Sequence, residues 1–169
     1  FNFSLVLTGI IHNNANEIAD YNLYASLLNF YDANGDGYIT KVEATADWNS
    51  LSKSTIIYFE REYTCLDFSY CDISSLKGLE YFTYIKGLKF SNNKLIDIFP
   101  IENLRQLIYL DLSDNFLTNI TSLSFSDSLR VLILQNNNIT NIEPLRYLSD
   151  LEDIPDIIRR KVQRGGDFL

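Results

Sequence analysis

The chain contains no methionine, one histidine, one tryptophan, two cysteines and three prolines in 169 residues. With a single histidine and no G-x-S-x-G, H-E-x-x-H or glycine-rich phosphate loop, we do not expect an enzyme. No apolar run approaches the roughly 18 residues that a membrane span requires. The formal net charge of -8 argues against nucleic acid as a partner, because phosphate binding needs a basic face. Since the chain begins at Phe1 and lacks methionine, we expect a processed or excised segment.

Apolar residues, by contrast, are abundant and recur with a period of 22 residues. Each unit has a leucine, a second apolar residue two positions later, and a Cys or Asn five positions later. The leucines are Leu66, Leu88, Leu110 and Leu132, and the polar positions hold Cys71, Asn93, Asn115 and Asn137. The full pattern is L-x-x-L-x-L-x-x-N/C-x-L, the signature of a leucine-rich repeat.

This pattern predicts an α/β solenoid with a short parallel β-sheet on its concave face. Residues 63–154 supply four 22-residue units and a partial fifth. The buried Asn side chains should satisfy turn amides and carbonyls that the fold removes from water. One unit cannot bury enough apolar surface to fold alone, so both ends need caps. We expect residues 1–62 to form a helical N-terminal cap, and residues 155–169 a C-terminal capping helix and tail.

Within the N-terminal cap, apolar spacing predicts a helix from Asn16 to Tyr31, with Asn14 or Asn16 as its N-cap. A second helix should carry Val42, Ala46 and Trp48. A third helical stretch is expected over residues 49–62, with Ile57 in phase with the repeats. Residues 1–11 are apolar, and we expect them to pack on the cap. The alternative is the tail of a targeting segment.

The loop at residues 32–43 carries oxygen donors at the spacing of an EF-hand calcium loop. Its sequence, DANGDGYITKVE, matches D-x-[DN]-x-[DN]-G-x5-E. Calcium takes about six to eight oxygen ligands, and this spacing can bring them together. We therefore predict calcium as the cofactor, with ligands at Asp32, Asn34, Asp36, Tyr38, Thr40 and Glu43. The alternative is an ordinary surface turn rich in Asp, Asn and Gly.

Alternation along each repeat strand predicts which side chains point away from the core. In this phase Cys65 faces outward and Cys71 inward, so we expect two free thiols. Apolar side chains without a role in the core suggest an interaction site. The predicted protein-binding residues are Lys89, Tyr109, Asp111, Val131 and Ile133. The alternative is that the terminal cap folds over Val131 and Ile133.

With the acidic loop, a half-repeat and the array in one chain, the sequence resembles bacterial secreted and cell-surface leucine-rich-repeat proteins. Their N-terminal cap carries an EF-hand-like motif, an arrangement that is broadly internalin-like. The matching segments are LLNFYDANGDGYITKVEA (27–44), ISSLKGLEYF (73–82), IFPIENL (98–104) and IEPLRYL (142–148). The resemblance implies a curved solenoid, a protein-binding or surface role, and an extracellular or cell-surface location.

The leading hypothesis is a non-catalytic, calcium-stabilised module that binds another protein outside the cytoplasm. The second is a structural accessory subunit of a larger extracytoplasmic or membrane assembly. The third is an intracellular regulatory leucine-rich-repeat protein. The calcium loop argues against the third, because cytosolic calcium is too scarce for a lone weak site.

Overall fold

The computed structural model describes residues 9–58 and 60–152. Its one α-helix within these residues, α1, spans Tyr21–Tyr31. The strands are β1 Ile10–Ile11, β2 Ile39–Thr40, β3 Ser54–Tyr58, β4 Arg61–Asp67, β5 Gly87–Lys89, β6 Tyr109–Asp111 and β7 Val131–Ile133. Strands β3 to β7 form one sheet in that order, antiparallel between β3 and β4 and parallel thereafter.

The predicted repeat architecture is confirmed over the four units. Each parallel strand leads through a turn into a short 3-10 helix on the other side of the sheet, and the next strand returns beside the last. These helices are Leu79–Tyr81, Phe99–Asn103, Thr121–Phe125 and Glu143–Tyr147. The pairing register joins Leu66, Leu88, Leu110 and Leu132 across the sheet. Residues paired between neighbouring strands are therefore 22 positions apart in the sequence.

The asparagine positions hold the turns together as the pattern predicts. The side chain of Asn93 accepts from Ile73 N at 2.9 Å and donates to Phe68 O at 2.8 Å, in the unit before its own. Asn115 and Asn137 repeat this arrangement one and two units later. Each amide therefore links two units, which explains why the residue recurs in phase.

The N-terminal cap is joined to the first unit through Asp20. One carboxylate oxygen caps α1, accepting from Asn22 N and Leu23 N at 2.9 and 3.0 Å. The other accepts from Ser74 N at 2.7 Å. The helix therefore begins five residues later than the predicted start, which was wrong. Asn14 instead closes a tight turn, where its side chain accepts from Asn16 N.

Two of the helices predicted in the cap are absent from the described residues. After the acidic loop, the chain makes only the 3-10 turns Glu43–Thr45 and Trp48–Ser50. Residues 54–58, predicted as helix, form strand β3 instead. This segment is rich in β-branched residues, whose stiff side chains favour the pleated conformation of a strand. The half-repeat predicted through Ile57 is also wrong, because that side chain is 77% exposed.

Part of the N-terminal apolar segment packs on the cap. Ile10 and Ile11 pair with β2, and Ile11 is fully buried, so the expected packing on the cap holds for these two residues. The predicted C-terminal capping helix at 155–169 lies outside the described residues, as do residues 1–8. Strand β4 crosses the predicted boundary at residue 62, so cap and array share a strand.

Candidate functional site

The outward surface of the parallel strands, here called the strand face, carries all five residues predicted to bind a protein. The register places Tyr109 beside Val131 and Asp111 beside Ile133, as expected for neighbouring strands. Their expected exposure is wrong, however. Tyr109 is 2% exposed and Val131 1% exposed, and Asp111 is also buried. Only Lys89 and Ile133 are partly accessible.

The described residues that cover the strand face come from the N-terminal side of the array, and the predicted C-terminal cap lies outside the described residues. Strand β3 and residues 61–65 of β4, here called the arm, fold across it. Tyr109, Val131 and Cys65 form an apolar cluster separate from the main core, here called the second cluster. Partly buried residues of the arm pack against it, namely Ile56, Tyr58 and Tyr63. The Tyr63 and Tyr109 rings lie 5.8 Å apart.

The path of the arm can be followed from strand to strand. Its base lies directly over β5: a Cβ on Gly87 would stand 2.0 Å from Thr64 O. Its far end reaches Glu152, whose amide donates to Arg130 O at 2.8 Å, just beyond β7. Glu152 lies four strand spacings from β4, which is about 19 Å. The four residues from Cys65 back to Arg61 span about 13 Å of that distance. The long arginine side chain covers the remainder.

Glu152 fixes the far end of the arm. Its carboxylate accepts from the Tyr63 hydroxyl at 2.9 Å and forms ion pairs with Arg61 and Arg130. These contacts are here called the latch. The Tyr63 hydrogen bond lowers the pKa of Glu152 against the opposing effect of burial, and Arg61 and Arg130 lower it further. The carboxylate is therefore ionised at neutral pH and able to hold both groups.

Sequence reasoning missed the arm and the latch residues. The signal that was available is alternation: Ile56 and Tyr58 on one strand, then Arg61, Tyr63 and Cys65 on the next, each two residues apart. A two-residue connection at 59–60 then predicts a hairpin. No local signal points to Glu152, because it meets Tyr63 from 89 residues away.

Cys65 reports on whether the arm is closed. The two cysteines are free thiols, and Cys65 points away from the main core while Cys71 packs against it, as predicted. Cys65 is nevertheless fully buried, because it lies in the second cluster. Burial raises the pKa of the Cys65 thiol to about 12, with Asp67 adding to the effect. The reactive thiolate is therefore scarce, and the sulfur is covered by protein.

We expect iodoacetamide to alkylate Cys65 at least about tenfold more slowly than half-buried Cys71 in the native protein, at mildly alkaline pH. Peptide mapping of time points gives both rates from one sample. Denaturation in urea serves as the control, since both thiols should then react alike. Equal rates in the native protein would contradict the burial of Cys65.

The predicted calcium loop is folded around its first and last acidic residues. Asp32 accepts from the amides of Gly35 and Gly37 at 2.8 and 2.9 Å. Gly37 has φ +84°, a conformation that a side chain would strain. Glu43 returns to the loop and accepts from Ala33 N at 3.2 Å and from Thr40 N at 2.8 Å.

The donors of this loop fit calcium in kind. Carboxylate, amide and backbone oxygens are the ligands that calcium prefers, and Asp32 and Glu43 both hydrogen-bond to amides of the same short loop. Among the described residues, however, no group of three or more His, Cys, Asp or Glu side chains is close enough to hold a metal ion. Calcium ligation therefore stays a prediction for all six residues, Asp32, Asn34, Asp36, Tyr38, Thr40 and Glu43.

The described parts of the chain, residues 9–58 and 60–152, include no helix with the length and hydropathy needed to cross a membrane.

Comparisons with known proteins agree with this architecture. The family model described as Leucine Rich Repeat matches residues 106–127 and 128–149. No curated protein shows significant similarity to the chain. Among solved structures, an internalin (inlF) from Listeria monocytogenes is similar, with 24% identity over 86% of this chain and a TM-score of 0.68. An internalin C2 (inlC2) from the same species has 20% identity over 85% of the chain and a TM-score of 0.53.

The chain spans 38% of the first internalin structure and 66% of the second. At these identities the likeness concerns the fold. Together with the repeat match and the parallel sheet in register, it establishes that the described chain has the leucine-rich-repeat fold.

Proposed function

We propose that the chain is a non-catalytic protein-binding module of a secreted or cell-surface protein, stabilised by calcium. The observation that carries the binding role is the second cluster. Tyr109, Val131 and Ile133 point away from the main core, where the arm covers the first two and leaves Ile133 partly accessible. Leucine-rich repeats generally serve protein interactions, and aromatic residues are favoured at the centre of interfaces.

The extracellular setting rests on the resemblance to bacterial secreted and cell-surface repeat proteins. Calcium fits that setting, since extracellular modules bind it with dissociation constants of roughly 10⁻⁴–10⁻³ M. Asp32 and Glu43 are the residues that we expect to hold the ion most directly. When bound, the ion would supply a positive charge that fastens the start of the loop to its end.

A capture experiment tests the binding role. Wild-type protein, Ile133→Asp and Ile96→Asp are immobilised and exposed to surface and secreted proteins of the native source. Ile133 lies on the strand face, whereas Ile96 is 67% exposed outside the strands, so the two changes are chemically matched. We expect to capture a protein that binds to wild type and to Ile96→Asp but not to Ile133→Asp. That protein, purified, must then bind with the same pattern. If purified wild type retains no protein above a denatured control, the proposal is wrong.

Calcium should raise the stability of the fold. At ten times the dissociation constant, binding to the folded state adds about 1.4 kcal/mol to the free energy of unfolding. We therefore expect a higher melting temperature in millimolar calcium than in chelator. The Glu43→Gln variant should lose this shift, whereas Glu62→Gln, an exposed carboxylate outside the loop, should keep it. An unchanged melting temperature in the parent protein would exclude a calcium role in stability.

A further inference from the structure

The arm has one apolar face and one polar face. Its register places Ile56 opposite Tyr63, and both pack on the second cluster. The alternate positions pair Thr55 with Thr64 and Ile57 with Glu62, which point the other way. Ile57 is accordingly 77% exposed. The arm therefore lies on the strand face as a bound hairpin ligand would, with one side buried and the other in solvent.

The arm is held less firmly than the sheet beneath it. Only residues 66–67 of β4, beyond the arm, pair with β5. Ile56 and Tyr63 are half-buried, and the ion pair between Arg61 and Glu152 is largely exposed. Exposed ion pairs contribute little net stability, and an isolated two-stranded hairpin is marginal in water. Lifting the arm therefore exposes the second cluster and breaks the latch, but it leaves the repeat strands paired.

We propose that the arm is a displaceable occupant of the strand face, and that the partner protein places an extended segment of similar chemistry there. This inference rests on the proposed function, because it specifies how that binding surface is reached. The closed arm protects the second cluster from water and from wrong partners. The partner exchanges its own segment for the arm.

The arm itself shows which chemistry the strand face accepts. On the inner side of β4, Arg61 meets Glu152, Tyr63 meets Tyr109, and Cys65 lies in the second cluster. These residues alternate along the chain. The partner's segment therefore carries a basic residue, an aromatic residue and a small apolar residue at every second position.

A peptide with the sequence of residues 54–64, STIIYFEREYT, provides the probe. It is labelled with a fluorophore and titrated with full-length protein. The Ile56→Asp variant should release the arm, because it places a charge in an apolar cluster. The neighbouring Ile57→Asp change is the matched control, since that side chain faces solvent.

We expect the peptide to bind Ile56→Asp at least about tenfold more tightly than wild type or Ile57→Asp, where the tethered arm competes at high effective concentration. Cys65 alkylation should rise in Ile56→Asp alone. Adding Glu152→Lys to Ile56→Asp should weaken peptide binding about tenfold, because the change repels Arg61 of the peptide.

Equal peptide affinity for the Ile56→Asp and Ile57→Asp proteins, or no binding to a folded Ile56→Asp protein, overturns the proposal. If Ile56→Asp loses the native circular-dichroism spectrum, the double variant Arg61→Ala/Tyr63→Phe removes the latch from the arm and takes its place in the same titration. The peptide test needs no native partner. If excess peptide does not displace a partner captured by wild type, the proposed binding function stands, but the strand face is not the binding site.

Discussion

Replacing Asn115 by alanine is expected to lower the free energy of unfolding by about 2 kcal/mol, within the range for stranding a buried polar group. Its side chain is 5% exposed and accepts from Leu95 N at 3.0 Å. It also donates to Phe90 O at 2.9 Å and to Leu112 O at 3.2 Å. Alanine leaves the buried Leu95 amide without this partner. Each carbonyl loses one of its donors but keeps another, since Asn93 donates to Phe90 O and Asn137 to Leu112 O. Urea denaturation monitored by circular dichroism measures the loss.

The matched control is Asn138→Ala in the next unit. The side chain of Asn138 is exposed, and the residue's bond to the array is made by its backbone amide, which donates to Leu117 O at 2.8 Å and survives the change. We expect a change within about 0.5 kcal/mol, as for ordinary surface substitutions. The in-phase residues Asn93, Asn115 and Asn137 are here called the asparagine ladder. Comparable losses for both variants would mean that this ladder does not link the units.

The asparagine ladder was predictable because its cause is local. A turn that recurs in every unit leaves the same buried groups in every unit, so one residue type solves the problem at one spacing. Asn93, Asn115 and Asn137 could therefore be assigned from the sequence by phase. The register of Tyr109 with Val131 followed from the same period.

The arm was not predictable in the same way, because its contacts are distant in the sequence. The segment at 54–58 reads as an apolar stretch, and its apparent match to the repeat phase favoured a helix over a strand. What decides its conformation is the partner strand at 61–65 and the apolar surface of Tyr109 and Val131 beneath it. The period identifies which side chains point outward, but it does not identify which segment then covers them.

The acidic loop shows a different limit. The motif predicted a sharp turn at Gly37, and this residue has a positive φ. It also predicted a following helix, which is absent from the described residues, because an EF-hand pattern specifies the loop more strongly than its flanks. Thr40 and Asp47 instead engage backbone amides nearby and favour short turns.

Replacing Gly87 by alanine should destabilise the fold by about 3 kcal/mol, the cost of strong overpacking. The added Cβ would stand 2.0 Å from Thr64 O and 3.1 Å from Cys65 Cα, both backbone atoms of the base of the arm. No side-chain rotation relieves a clash with backbone. Strand β4 cannot move away as a whole, because Leu66 is buried in the core and paired with Leu88. The strain should therefore lift the arm and weaken the sheet.

Two measurements on Gly87→Ala separate this explanation from a general loss of stability. Urea denaturation gives the free energy, and alkylation of Cys65 in the native protein should become at least about tenfold faster, because lifting the arm separates Cys65 from the second cluster. Gly9→Ala is the control: its added Cβ would meet Lys41 Cβ at 3.6 Å, an ordinary contact, and should change neither quantity. If Gly87→Ala is as stable as Gly9→Ala and Cys65 stays protected, the arm does not rest on β5. Another segment would then have to bury Tyr109 and Val131.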